Sequence, residues 1–393
     1  MRTGAFGARF FSGRSFRAAS TTVIGGSTIC VPVTDPATTW VAGTIAQGAG
    51  HTERTVSKAL LAFCFFWACA AAAQDPASYA GADRQQRLVA GAKKEGQVVM
   101  YTSAQADDIG AVAKAFERKY GVKVTIWRSS SENVLQRALT EAQANRFTVD
   151  VVETNGPELE MLQREKLALA VKSPYLADLI PAALRPHGEW VGTRLNVYTL
   201  AYNTKTVKKD ELPKSYEELA QPKWKGRLGI EADDNEWLAG VLAQIGEAKG
   251  IELFRDVVQK NGISVRRGHT LLTQLVVSGE VPLALTVYNY KAEQLKNQGA
   301  PIEWFAIGRA VARPNGVAVT KRAAHPHAAV LFYDFEISED GQRILAKRDF
   351  VPTNRKVDTP LNKIPLMVVD PKVMLDEQGK WTKLYEDLFL KQR

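Results

Sequence analysis

Trp190-Val191-Gly192-Thr193-Arg194-Leu195-Asn196-Val197-Tyr198-Thr199-Leu200-Ala201-Tyr202-Asn203 reads as one uninterrupted extended stretch. An ordinary strand is about five to six residues long. This one is too long for a parallel sheet strand, and it is read as carrying the chain from one folded half to another. Before it, strand and helix patterns alternate. Gln97-Val98-Val99-Met100-Tyr101 is a buried strand, and Ile109, Val112, Ala113 and Phe116 fall at helical spacing up to Tyr120-Gly121. Residues 122–127 form the next strand. Ser129-Ser130-Ser131-Glu132 has the spacing of a capping box and opens a helix carrying Val134, Leu135, Ala138, Leu139 and Ala142. Residues 149–153 are a third strand, and Pro157 opens another helix.

After the long stretch a second series begins. A short helix at Tyr216-Glu217-Glu218-Leu219 and a turn at Pro222-Lys223-Trp224-Lys225-Gly226 lead into a strand at 227–230. Helices are expected at 237–249 and 251–260, strands at 283–287 and 301–306, and a returning strand at 317–320. Such alternation predicts parallel sheets wound by right-handed crossovers. The length of 393 residues fits two such halves and a leader.

The first 73 residues differ from the rest. Residues 1–50 are rich in Gly, Ala, Ser and Thr, nearly free of acid and without periodicity. They are expected to be an over-extended start, with a transit peptide as the alternative. Residues 51–73 place Arg54 and Lys58 before an apolar run that begins Ala59-Leu60-Leu61-Ala62-Phe63 and ends in alanines. That is the pattern of a cleaved secretory signal peptide, which directs the mature chain to the periplasm. The run is short for a membrane span, and lipidation at Cys69 is a further alternative. All three cysteines (Cys30, Cys64, Cys69) lie in this leader, so disulfides and thiolate metal sites are excluded from the mature chain. The whole chain has 51 Lys/Arg and 42 Asp/Glu; the leader takes six and two of these and leaves 45 against 40. So small an excess, with no basic run, points to no nucleic-acid partner.

Val98-Val99-Met100-Tyr101-Thr102-Ser103, Asp150-Val151-Val152, Leu200-Ala201-Tyr202-Asn203-Thr204-Lys205 and Pro222-Lys223-Trp224-Lys225-Gly226-Arg227, in this order, resemble the extracellular solute-binding protein family. The likeness is to the branch that includes ferric-ion-binding proteins of ABC importers. It implies an α/β, periplasmic-binding-protein-like fold: two α/β lobes joined by a hinge, with the ligand cleft between them. The lobes are expected from residues 74–200 with about 312–345, and from 201–311 with about 346–393. The chain would cross near 201–204 and again near 306–314. The resemblance also implies a monomer that binds a small molecule or metal ion and docks, closed, on a permease with its ATPase.

Ligands in open α/β sheets sit beyond the carboxyl ends of strands. The candidates are therefore the loops there. Tyr288 and Tyr290 follow a strand with one residue between them, so in extended backbone both phenols face one way. Phenolate is a hard donor suited to a trivalent ion. In iron-binding relatives a tyrosine cluster holds the ion, which makes Tyr288 and Tyr290 the candidate metal ligands for Fe3+ with a synergistic anion. No cofactor is otherwise required. Asn289 interrupts the pair, and aromatic lid residues over an organic solute are the other meaning. Ser103 and Gln105 after the first strand, and Asn155 after the third, stand where some iron binders place a histidine and a glutamate. Ser129, Ser130 and Ser131 at a helix start offer an anion site, or plain capping. Glu231 and Asp233, within Glu231-Ala232-Asp233-Asp234-Asn235-Glu236, offer a seat for a cationic group, or again a helix cap. His187, His269, His325 and His327 are read as surface or capping residues.

The chain contains no Gly-x-Ser-x-Gly elbow, His-Glu-x-x-His pair or phosphate-binding glycine loop. A carrier rather than an enzyme is expected. The alternatives are an organic solute such as an amine or phosphonate, a sensor in place of a transporter, and, remotely, a secreted hydrolase.

Overall fold

The computed structural model describes residues 75–391, which belong to the contact unit Ala70–Arg393. The expected leader and signal peptide, and Cys69 with them, lie outside the described residues.

The first half supplies β1 (Gln97–Thr102), β2 (Lys123–Arg128), β3 (Val151–Asn155) and the short β4 (Ala168–Leu169). The long extended stretch forms β5 (Val191–Asn203). The second half supplies β6 (Leu228–Glu231), β7 (Ser264–Arg266), β8 (Leu283–Tyr288) and β9 (Ile302–Phe305). The chain returns through β10 (Ala310–Thr320), and β11 (Val351–Pro352) and β12 (Leu366–Val368) follow. Neighbours run in the order β2-β1-β3-β10-β5-β8-β6-β7, with β4 and β12 on β10 and with β9 and β11 on β5.

The outer strands are parallel, as the alternation predicts: β1 with β2 and β3, and β6 with β7 and β8. The middle is antiparallel, where β10 meets β3 and β5, and β5 meets β8. The reason is connectivity. The chain goes out along β5 and comes back along β10, so these two must oppose one another. β5 pairs with β10 up to Val197 and with β8 from Tyr198, so its partner changes between those residues. All thirteen residues of β5 are buried, and no shift in polarity marks the point of exchange. β11 pairs with Leu195 and Arg194 of β5. β12 joins β10.

Helices cover both faces. Ala106–Tyr120 ends on Gly121 at φ 70, left-handed backbone that glycine takes at no steric cost. Pro326–Ile337 is buried on every side from Ala328 to Ile337. Its Phe332 meets Phe116 edge-on with centroids 5.0 Å apart. Its N-terminus is capped from a distance: Glu95 accepts from the N–H groups of His327 and Ala328, and Asp150 from that of His325. This explains His325-Pro326-His327 as a capping segment. In the second lobe Trp237, Phe254 and Phe389 form the aromatic centre, with Phe254 5.4 Å from Trp237 and 5.7 Å from Phe389. Each such pair adds about 0.5–1.5 kcal/mol beyond area burial.

The pairing of β5 with β10 is interrupted by a bulge between Asn315 and Gly316. A Cβ on Gly316 would lie 2.3 Å from the Val191 carbonyl oxygen and 2.8 Å from the Trp190 ring. Gly316→Ala is expected to lower unfolding free energy by about 1–3 kcal/mol in urea titrations. Gly379→Ala, where nothing lies within 4 Å, is expected to be neutral or stabilising.

Candidate functional site

The carboxyl ends of β1, β2, β3, β6 and β8 converge on a cavity of about 750 Å³. Ser103, Gln105, Ser129, Ser130, Ser131, Asn155, Glu231, Asp233, Tyr288 and Tyr290 all line it. Its floor is made by the crossing strands, through Arg194 and Asn196 of β5 and Arg313 and Asn315 of β10.

On the first lobe the three serines divide the work. Ser130 is the N-cap of the helix Ser131–Gln143, and its hydroxyl accepts from the Asn133 N–H at 3.4 Å. Ser129 accepts from the Asn133 side-chain amide at 3.1 Å. Ser131 accepts from Asn155 at 2.7 Å, and Asn155 in turn accepts from Asn315 at 2.8 Å. A relay thus runs from the floor to the helix start, where free N–H groups and Arg128 favour an anion. Gln105 precedes the helix Ala106–Tyr120 and its side chain caps nothing.

The tyrosine pair is arranged differently from the expectation. β8 ends at Tyr288, and Asn289 begins the helix Asn289–Asn297, so the two residues do not share one extended segment. Their rings nevertheless lie within 15° of parallel, with centroids 5.8 Å apart. Tyr290 packs on Phe350 at 4.2 Å. Burial pushes both phenols above the usual range, and Arg313 pulls the Tyr288 hydroxyl back by donating to it. The same guanidinium pairs with Glu236, which also accepts from Tyr198 at 3.5 Å.

The acidic wall is not a helix cap. Asp234 occupies the N-cap position of Asn235–Ile245, but its carboxylate accepts no bond from that helix. Its Oδ1 lies 3.1 Å from His269 Nε2 instead, so His269 is a cleft residue rather than the surface or capping residue expected. The His269 ring sits on Tyr288, centroids 3.9 Å apart. Glu231 is fixed by the N–H groups of Gly268 at 2.6 Å and Asp233 at 2.5 Å. Burial and the neighbouring carboxylates Glu132 and Glu231 push Asp233 up to about 6.

Sequence reasoning passed over Arg194, Arg313, His269, Glu158 and Lys291. Burial lowers Lys291 to about 8 and raises Glu158 to about 8, the latter aided by Glu236 and opposed by Arg313. Arg128 was passed over too, although its place beside the serines in the sequence is a local signal that could have found it. Beneath the floor, Arg194 pairs with Glu153, which also accepts from Thr102. Glu336 lies behind them with both carboxylate oxygens unpartnered, and burial and the Glu153 charge push its carboxyl well above the usual range.

The sequence profile of the family described as bacterial extracellular solute-binding protein matches residues 111–367. Iron uptake protein A1 of Synechocystis sp. is 27% identical over 284 residues, 66% of this chain and 78% of that protein. The major ferric iron-binding protein of Neisseria meningitidis serogroup B is 26% identical over 322 residues, 75% of this chain and 93% of that protein. In structure the chain is similar to iron-bound HitA from Pseudomonas aeruginosa, with a TM-score of 0.66 at 25% identity over 74% of this chain and 99% of that one.

Two outcomes follow from the buried charges. Arg194→Met strands Glu153 beside Glu336, and unfolding titrations are expected to show a loss of about 3–5 kcal/mol, partly restored in Arg194→Met/Glu153→Gln. Glu158 holds its proton to about 8 in the folded chain against 4.5 ordinarily. Between those values the native state binds more protons than the unfolded one, so stability falls as pH rises. Glu158→Gln is expected to remove that fall when unfolding is compared at about pH 5 and about pH 9.

Proposed function

We propose a carrier function on one premise: the chain belongs to the bacterial extracellular solute-binding protein family. It takes up a small solute between two α/β lobes and delivers it to an ABC-type importer. The cargo assigned here is ferric ion held together with an anion. The proteins it resembles include ones named for iron uptake and ferric iron binding. The observation that carries the assignment is the cleft itself. It sets phenols (Tyr288, Tyr290), carboxylates (Glu231, Asp233, Asp234) and an imidazole (His269) opposite a helix N-terminus bearing Ser129, Ser130 and Ser131. Oxygen-rich donors suit a hard ion, and the helix start suits its anion.

In this scheme solute first binds one wall, and the lobes then close by bending where β5 and β10 change partners. The closed form docks on the permease and its ATPase as a monomer in the periplasm. Nothing in the scheme calls for bond-breaking chemistry. A second reading, a small organic solute bearing an amine or a phosphonate, is favoured by the size of the cleft. About 750 Å³ is within the range of sites that hold drug-sized molecules, roughly 300–1,000 Å³.

The test is to load purified mature protein with ferric citrate, then record its metal content and visible spectrum. A tyrosinate–iron charge-transfer band is expected in the wild type, and it should vanish in Tyr288→Phe and Tyr290→Phe. A colourless, metal-free protein whose melting temperature rises with an amine or phosphonate would decide for the organic solute. Unchanged scattering profiles with every solute would overturn hinge closure.

A further inference from the structure

Within the donors of the cleft, the second lobe's wall carries a set that needs neither phenol. Glu231 ends β6, Asp234 precedes the helix Asn235–Ile245, and His269 opens the helix His269–Ser278. One ligand atom from each lies within 4.8 Å of the other two. Two donors about 2.1 Å from a common ion stand roughly 3 Å apart when adjacent in an octahedral site and roughly 3.4 Å apart in a tetrahedral one. The 3.1 Å between Asp234 Oδ1 and His269 Nε2 already has the spacing of an adjacent pair.

Two independent facts separate this cluster from ordinary surface acid. Asp234 is 2% exposed, yet its Oδ2 has no hydrogen-bond partner, and neither has His269 Nδ1. Asp234 also stands at an N-cap without capping, so the local backbone gives its carboxylate no use. Glu231, by contrast, is held in one orientation by two backbone N–H groups. An oriented carboxylate, a second carboxylate with a free oxygen and one imidazole are a mixed oxygen–nitrogen set that suits first-row transition metals.

We propose that Glu231, Asp234 and His269 form a seat for a first-row transition-metal ion that binds without phenolate ligation. The seat shares the cleft with the carrier reading but does not rest on iron as the cargo. Zn2+ is the probe, titrated calorimetrically into metal-free wild type and into Tyr288→Phe/Tyr290→Phe, with bound metal counted after gel filtration. Both proteins are expected to bind one Zn2+ per chain. His269→Gln and Asp234→Asn are expected to lose about 100-fold in affinity, the upper end of what even outer-sphere partners cost. Circular dichroism checks that each variant is folded, and His269→Gln decides if Asp234→Asn is not. Co2+ gives a second readout, since its visible bands should shift between wild type and His269→Gln. Absence of Zn2+ binding by the wild type, unchanged affinity in His269→Gln, or loss of Zn2+ from the double phenylalanine variant would each overturn the seat. An iron band lost in that double variant while Zn2+ binding stays would leave both proposals standing. Zn2+ binding with no iron band would sustain the seat and sink the iron cargo.

Discussion

β5 is hydrogen-bonded on both edges, to β10 and β11 over its first half and to β8 and β9 over its second. A strand so enclosed has no polar backbone left for water, and its buried polar side chains must find partners within the protein. Several do so with neighbouring elements, although Asn196 Oδ1, which faces the cleft, has no partner. Arg194 meets Glu153, Thr199 donates to the Val287 carbonyl, and Asn203 donates to those of Val276 and Val277. Each lobe hangs from one end of this strand, so the position of every cleft residue follows from its course. The floor residues Arg194 and Asn196 are part of the strand itself, whereas the serine and acidic walls stand on separate lobes.

The architecture was legible because its signals are local. Helical spacing at Ile109, Val112, Ala113 and Phe116 found a helix, and the length of the stretch ending at Asn203 found the crossing. The motifs that carried the resemblance are structural as well. Asn203 accepts from the N–H groups of Lys205 and Thr206, Trp224 is fully buried, and Gly226 sits at φ 70. Of the residues that carried the resemblance only Ser103 lines the cleft, which is why they announced the family and not the cargo. The ten candidate residues came from one rule, that sites follow strands, and they occupy one cavity. What escaped was the part made by distant pairing. Arg313 lies in the portion of β10 before the expected returning strand, and its partners Glu236 and Tyr288 are 77 and 25 residues away. His269 looked solitary because its partner Asp234 is brought to it by the parallel pairing of β6 with β7.

The cleft's electrostatics rest on division between lobes. Arg128 and the serines give the first wall an anion-favouring character, and Glu231, Asp233 and Asp234 give the second an acidic one. Arg313 stands between them and is already committed to Glu236 and Tyr288. A solute that carries both signs, or an ion that brings its own counterion, satisfies both walls at once. A species of one sign satisfies only one.

The place of β10 has a consequence for the order in which the protein can be made. β10 lies between β3 and β5 and completes the first lobe's sheet, yet it is encoded by residues 310–320. A chain emerging from its N-terminus shows β1, β2 and β3 long before the strand that seals the open edge of β3. Pairings this distant in sequence form slowly. The nascent polypeptide therefore stays unfinished until late in synthesis, a state in which it can still be threaded through a narrow pore.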